Sequence, residues 1–154
     1  MAFVQTAYSN DIPVGYAGMV ANQETSNRIS REVEDAAGIA YGKAVFRGAN
    51  ARGITGTPNA NTFVGFTMAT YSGGSVSFPS NNADPVWAQT RTAGVLEKGV
   101  IWVNAATAAT AGGLVYVTPA GAISNSASGN TALPANVSFD DTITAAGLVR
   151  VRIK

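Results

Sequence analysis

Short hydrophobic runs recur along the chain, each bounded by glycine or by a small polar turn. The clearest runs are "YGKAVFRG", "FVGFTMATY", "GVIWVN", "GGLVYVTPAG" and "GLVRVRIK". They are rich in Val, Ile, Phe and Tyr and are separated by Gly, Pro, Asn and Ser, which is typical of strands and turns. The pattern predicts an all-β fold, a small antiparallel β-barrel or sandwich. The best hairpin is "VYVTPAGAIS", where Pro119 presets a turn and Gly121 can take a positive φ.

Alternation along these runs predicts the core. Successive side chains of a strand point to opposite faces of the sheet, so one set of alternate residues should be buried. We expect that set to comprise Val45, Phe63, Phe66, Val95, Ile101, Val103, Leu114, Tyr116 and Val149. An error of one residue in register would place the other set inside.

Two stretches have ambiguous patterns. Residues 27–38, "NRISREVEDAAG", could form a helix or a strand. The strand is favoured, because Val, Ile and Ser are weak helix formers and the neighbouring runs are strands. Residues 104–113, "NAATAATAGG", could hold one helical turn, but a loop between strands is preferred.

The N-terminal segment is apolar without regular structure of its own. In "DIPVGYAGMVAN", residues 11–22, a proline and two glycines interrupt the chain and the apolar residues follow no single period. Such a segment must be buried against something else.

Composition limits the classes of function. Charged residues make up 12% of the 154 residues, about half of the ~25% usual for a soluble domain, and the net charge is +1. A surface this neutral is either kept soluble by hydroxyls and amides or covered by other subunits. We expect no nucleic-acid partner and no membrane partner, because the chain has no internal basic cluster, secretory leader or apolar run of ~20 residues.

The candidate chemistry is sparse. The chain contains no histidine and no cysteine, which excludes zinc sites and His-activated nucleophiles. No carboxylate pair stands out, although a two-carboxylate glycosidase is not excluded. A charged cluster is interpreted as a solvated face (Arg28, Arg31, Glu32, Glu34 and Asp35), and Asp140–Asp141 as a turn. We expect no enzyme activity, no metal and no cofactor.

Two further groups could bind a partner. Arg150, Arg152 and Lys154 alternate with apolar residues in the last run, so one face of that strand is basic. This face is interpreted as ordinary protection of a sheet edge, with contact to an acidic partner as the alternative. Trp87, Trp102 and Tyr71 could form a sugar platform, although burial of such residues in a core is more frequent.

The order of these stretches resembles one family. "IPVGYAGMVAN", "ISREVE", "GIAYGKAVFRG", "FVGFTM", "AGVLEKGVIWVNA", "AGGLVYVTPAGAIS" and "LPANVSFDDTITAAGLVRVRI" follow one another in this order. Together they are similar to the structural cement, or decoration, proteins of tailed bacteriophage capsids. The chain departs from that pattern in the longer "TFVGFTMATYSGGSVSFPSNNADPVW" region.

The resemblance implies a β-domain, residues 22–154, behind an extended N-terminal arm, residues 1–21. It implies a protein made in the host cytoplasm that ends on the outer surface of the virion. There it would bind where major capsid protein subunits meet, as a homo-dimer or homo-trimer, and stabilise the shell. The arm would lie on the capsid or on a sister subunit, with its contact residues being Phe3, Tyr8, Ile12, Pro13, Val14, Tyr16 and Met19. Arg150, Arg152 and Lys154 would form a secondary contact. A carbohydrate-binding module and another virion assembly module, such as a tail or fibre subunit, are the alternatives.

Overall fold

The computed structural model describes residues 15–59, 62–69 and 86–154, and they form an all-β protein, as predicted. The strands are β1 Asn27–Val33, β2 Ile39–Ala40, β3 Ala44–Arg47, β4 Gly53–Thr55, β5 Phe63–Thr67, β6 Val86–Trp87, β7 Thr92–Ala105, β8 Tyr116–Val117, β9 Ile123–Ser124, β10 Thr131–Ala132, β11 Val137–Phe139 and β12 Gly147–Ile153.

Five strands close into a barrel. The ring runs β1-β4-β3-β5-β7 and returns to β1, because β7 pairs with both β5 and β1. The β1–β4 pair is parallel and the other four pairs are antiparallel. One cluster of buried or partly buried apolar residues draws on all five strands, with Val33, Val45, Ile54, Val64 and Val95 among its members, and therefore fills the barrel.

The second half of β7 leaves the ring and builds a second layer. Residues 99–105 pair with β12, which in turn pairs with β11, while β9, β8 and β10 follow on the other side of β7. Phe46, Phe66 and Leu96, on the barrel strands, are buried in one cluster with Val103 and Val149 from this layer. β7 thus contributes residues to both clusters.

The ambiguous stretches follow the predicted assignments. Residues 27–33 are strand β1, whose Ile29 and Val33 pack with the barrel cluster. Beyond β7, residues 106–113 contain turns and one bridge, Ala109 to Ile143, so the loop prediction is confirmed. The hairpin prediction is also confirmed, since β8 and β9 pair antiparallel and Gly121 has φ 78°.

The predicted core is correct except at one run. Six of its nine residues are buried, and Phe63 is partly buried against the larger cluster. Leu114, however, is 47% exposed and Tyr116 is half-buried, whereas Val115 and Val117 are fully buried. The register of this run was wrong by one residue, because "LVYV" offers an apolar side chain at every position and so no alternation to decide between the faces.

Part of the supposed solvated face has a structural role. The carboxylate of Glu34 accepts backbone hydrogen bonds from Ala49, at 2.7 Å, and Asn50, at 2.8 Å, in the turn between β3 and β4. These N–H groups, that of Asn50 first, hold the pKa of Glu34 below its usual value. Asp35 likewise accepts bonds from the hydroxyl of Thr55 and the N–H of Gly56. The two carboxylates thus fix the β3–β4 hairpin rather than only face solvent.

Candidate partner-binding surface

The described part of the N-terminal segment lies on β7. The N–H of Gly18 donates to the carbonyl of Trp102 at 2.8 Å, and the N–H of Trp102 donates to the carbonyl of Met19 at 2.9 Å. Ala21 donates to the carbonyl of Val100, and Val20 forms an antiparallel bridge with Ile101. Residues 18–21 therefore act as a short strand on the edge of β7 opposite β12. We call residues 15–21 the arm root.

The side chain of Trp102 holds the start of the arm root. Gly15 is buried against it, and a Cβ atom at that position would lie 2.7 Å from the indole Nε1. The guanidinium of Arg150 lies over the same ring, with Cζ 5.6 Å from its centroid. Only a glycine fits between this indole and the path of the chain.

Gly18 makes the second close approach of the arm root. Its φ is +85°, a conformation that favours glycine, and a Cβ atom there would lie 2.7 Å from the amide nitrogen of Ala69. Its carbonyl accepts a hydrogen bond from that same N–H at 2.8 Å. The glycines that interrupt the N-terminal pattern are thus the positions where it packs onto the domain.

The basic face of β12 is paired within the chain. Arg150 forms a two-bond ion pair with Asp141, and Arg152 pairs with both Asp140 and Glu24. The hydrogen bond from Arg150 lowers the pKa of the Asp141 carboxyl, and Asp140 followed by Glu24 raises the pKa of Arg152.

The strand pairing shows that the basic face of β12 does not protect a sheet edge, as the sequence had suggested. β12 lies between β7 and β11, so it is not a sheet edge. Lys154, the third residue of the predicted basic face, is exposed. The sequence analysis assigned no role to Glu24. Its ion pair with Arg152 links the residues after the arm root to β12.

A cleft of about 410 Å³ opens beside the arm root. Tyr16 and its neighbours form one wall, residues 40–43 form the other, and Asn104 and Leu148 also line it. Tyr16 is 38% exposed there, and Met19 is half-buried. The other predicted arm residues, Phe3, Tyr8, Ile12, Pro13 and Val14, lie outside the described residues.

The tryptophans do not form a sugar platform. Trp87 is buried in the barrel cluster, where its indole N–H donates to the carbonyl of Met68 at 3.0 Å and its ring packs edge-on against Tyr41. The indole of Trp102 packs against Gly15, and the guanidinium of Arg150 lies over its ring. Tyr71, the third candidate, lies outside the described residues. Trp87 therefore cannot stack on a sugar ring.

The described residues offer no group of three or more acidic side chains close enough to hold a metal ion. Within the same residues, no helix is long and apolar enough to cross a membrane.

Comparison with known proteins identifies the family. The model of the family "Structural cement protein (E217 gp24/Pam3 gp6)" matches residues 4–154. A chain in the solved structure "The capsid of Myoviridae Phage XM1" has the same fold, with a TM-score of 0.70 and 21% identity over 100% of this chain and 98% of that one. A search of curated proteins finds no match. Because the family model covers the N-terminal segment and the whole β-domain, this chain belongs to the phage structural cement protein family.

Proposed function

We propose that this protein binds the outer surface of a phage head where major capsid protein subunits meet, and that it stabilises the shell there. The observation that carries this proposal is the family match from residue 4 to residue 154, which includes the N-terminal segment. In this proposal the N-terminal segment makes the main contact and the β-domain acts as a rigid base for it. The protein is made in the host cytoplasm and acts as a homo-dimer or homo-trimer.

The fixed arm root supports a binding role for the residues before it. Three backbone hydrogen bonds and the packing of Gly15 against Trp102 hold it to β7, so the position from which residues 1–14 depart is defined. Those residues are mostly apolar or uncharged, with Asp11 as their only charged side chain. Such a segment can add main-chain hydrogen bonds to a neighbouring sheet edge while its side chains fill pockets. Weak contacts repeated over an oligomer then give high avidity.

Truncation at two positions tests the role of the arm. Removing residues 1–14 should leave the β-domain folded and abolish co-sedimentation with undecorated heads. Removing residues 1–20 should also lower the melting temperature, because it deletes backbone partners of β7. If the shorter truncation still sediments with heads, the arm is not the main contact, and the face of Arg150, Arg152 and Lys154 becomes the next candidate.

Tyr16 is the described arm residue best placed to act as an anchor. It is a large aromatic residue, 38% exposed beside the cleft. An aromatic anchor contributes about 2 kcal/mol or more to an interface, so Tyr16→Ala should weaken head binding roughly 30-fold. Leu114→Ala is the matched control, because Leu114 is an exposed apolar residue outside the arm root. Equal binding of the two variants would remove Tyr16 from the interface.

Salt dependence separates an apolar contact from a charged one. Since the arm carries one charge and Arg150 and Arg152 are paired internally, attachment should persist at moderately high salt. Loss of binding between low and high ionic strength would instead indicate a charged interface. Sedimentation with purified tails rather than heads would favour the alternative, a tail or fibre subunit.

A further inference from the structure

The two arginines of β12 stand level with the two ends of the arm root. In the pair that β12 makes with β7, Arg150 lies opposite Trp102 and Arg152 lies opposite Val100. Backbone N–H groups of the arm root donate to the carbonyls of these same two β7 residues, at 2.8 Å each. At both positions, therefore, β7 has an arginine of β12 on one side and one end of the arm root on the other.

At the first end, Arg150 acts through the side chain of Trp102. Its guanidinium lies over the indole, with Cζ 5.6 Å from the ring centroid, a favourable placement for a cation. Asp141 holds that guanidinium by two hydrogen bonds, of which the bond from Nε is 2.7 Å long. The indole in turn packs against Gly15, the first residue of the arm root. A continuous chain of contacts thus runs from Asp141 to Gly15.

At the second end, Arg152 holds Glu24, three residues beyond the arm root. One guanidinium nitrogen lies 2.5 Å from the carboxylate of Glu24, and another lies 2.9 Å from that of Asp140. The three side chains are between 21% and 44% exposed, so solvent screens their charges only in part. Isolated ion pairs at a surface contribute little, whereas an arginine shared by two carboxylates forms a small network, which is the case that does contribute.

One turn supplies a carboxylate to each arginine. Asp140 and Asp141 are adjacent in the turn between β11 and β12, and the N–H of Asp140 donates to the carbonyl of Arg150 at 2.8 Å. The arm root is therefore fixed at both ends from the same face of β12. Two points of attachment fix the direction of a segment as well as its position, and a binding segment that is already held in place costs less to order when a partner binds.

We propose that Arg150 and Arg152 are positioning residues that act on the arm root, and that they make no contact with the partner themselves. They set the direction in which residues 1–14 leave the domain, so the inference rests on the proposed function and deepens it. The two roles predict opposite results when a carboxylate is removed. Loss of Glu24 or Asp141 frees an arginine, which would strengthen a direct contact with an acidic partner but weakens the positioning of the arm.

Hydrogen exchange of the free protein tests the positioning itself. In Glu24→Gln and in Arg152→Gln, the amide of Ala21 should exchange roughly 2- to 5-fold faster, because a lost ion pair of this kind shifts local opening by that order. The double variant should exchange no faster than Arg152→Gln alone, and amides of β3 and β5 should not change. Glu32→Gln is the matched control, since it removes the same charge from an exposed residue that makes no ion pair within the described part of the chain. Exchange at Ala21 no faster than in this control would overturn the proposal.

Co-sedimentation with undecorated heads then separates positioning from direct contact. Glu24→Gln and Asp141→Asn should both bind heads several-fold more weakly than Glu32→Gln, although each leaves the face of β12 more basic. Arg152→Lys keeps the charge and can still bond one carboxylate, so it should recover part of the binding lost in Arg152→Gln. Unchanged or tighter binding of the two carboxylate variants would refute the positioning role. Faster exchange at Ala21 in a protein whose wild type fails to bind heads would contradict the proposed function and leave the positioning of the arm root standing.

Discussion

Ile101 connects the arm root, β7 and β12, and its replacement should be among the most damaging single changes. The side chain is 0% exposed in the larger core cluster. Its backbone lies between Val151 of β12 and Val20 of the arm root, so it is held on both sides. Ile→Ala changes in cores cost about 2–5 kcal/mol, with the higher values where the site cannot collapse. Because β7 is fixed by both neighbours, we expect Ile101→Ala to cost about 3–5 kcal/mol.

Chemical denaturation and thermal melting measure this loss. For a domain of this size, 1 kcal/mol corresponds to a shift of roughly 2–4 °C, so the melting temperature should fall by about 6–20 °C. Leu114→Ala is the control, since that side chain is 47% exposed and its removal should cost less than about 1 kcal/mol. A loss below about 1 kcal/mol for Ile101→Ala, or equal losses for both variants, would refute the strand register described for β7.

Three further changes test local contacts. Gly15→Ala should destabilise the protein by about 1–3 kcal/mol through collision with Trp102, whereas Gly147→Ala, where a Cβ has no other heavy atom within 4 Å, should be nearly neutral in thermal melting. Thr67→Val should cost about 1–3 kcal/mol in denaturant unfolding, because the buried hydroxyl donates to one backbone carbonyl at 2.7 Å and accepts from one N–H at 3.0 Å; an unchanged midpoint would contradict this. Since the folded pKa of Glu34 lies below its ordinary value of about 4.3, its contribution to stability is present above that pH and is lost as the pH falls through the folded pKa. The difference in melting temperature between wild type and Glu34→Gln should therefore become smaller below about pH 4. A difference that stays constant with pH would show that ionisation of Glu34 does not contribute to stability.

Local patterns predicted the fold well because the strands alternate clearly where only one face is buried. β12 is an example, in which Val149, Val151 and Ile153 are buried and the residues between them are not. The pattern failed at Leu114, where four consecutive apolar residues show no alternation and leave the register to be set by the pairing of β8 with β9 and β10.

Other features depend on contacts that no local window contains. Glu34 reaches a turn 15 residues away, and Glu24 reaches Arg152 at a separation of 128 residues. Gly15 and Trp102 are also far apart in the sequence and make contact only in the folded chain. The role of Trp102 in holding the arm root therefore could not be predicted from "VIWV". The basic face of β12 was visible in the sequence, but the carboxylates that pair with it were not assigned to it.

The central proposal is that the arm attaches this β-domain to the outside of the shell at junctions between capsid subunits. A cryo-electron microscopy map of a decorated head measures this most directly. The proposal predicts barrel density on the outer surface at those junctions, with density for residues 1–14 continuing from Gly15 onto neighbouring subunits. Barrel density inside the head or on the tail, or a domain that contacts the shell only through residues far from the arm root, would contradict it.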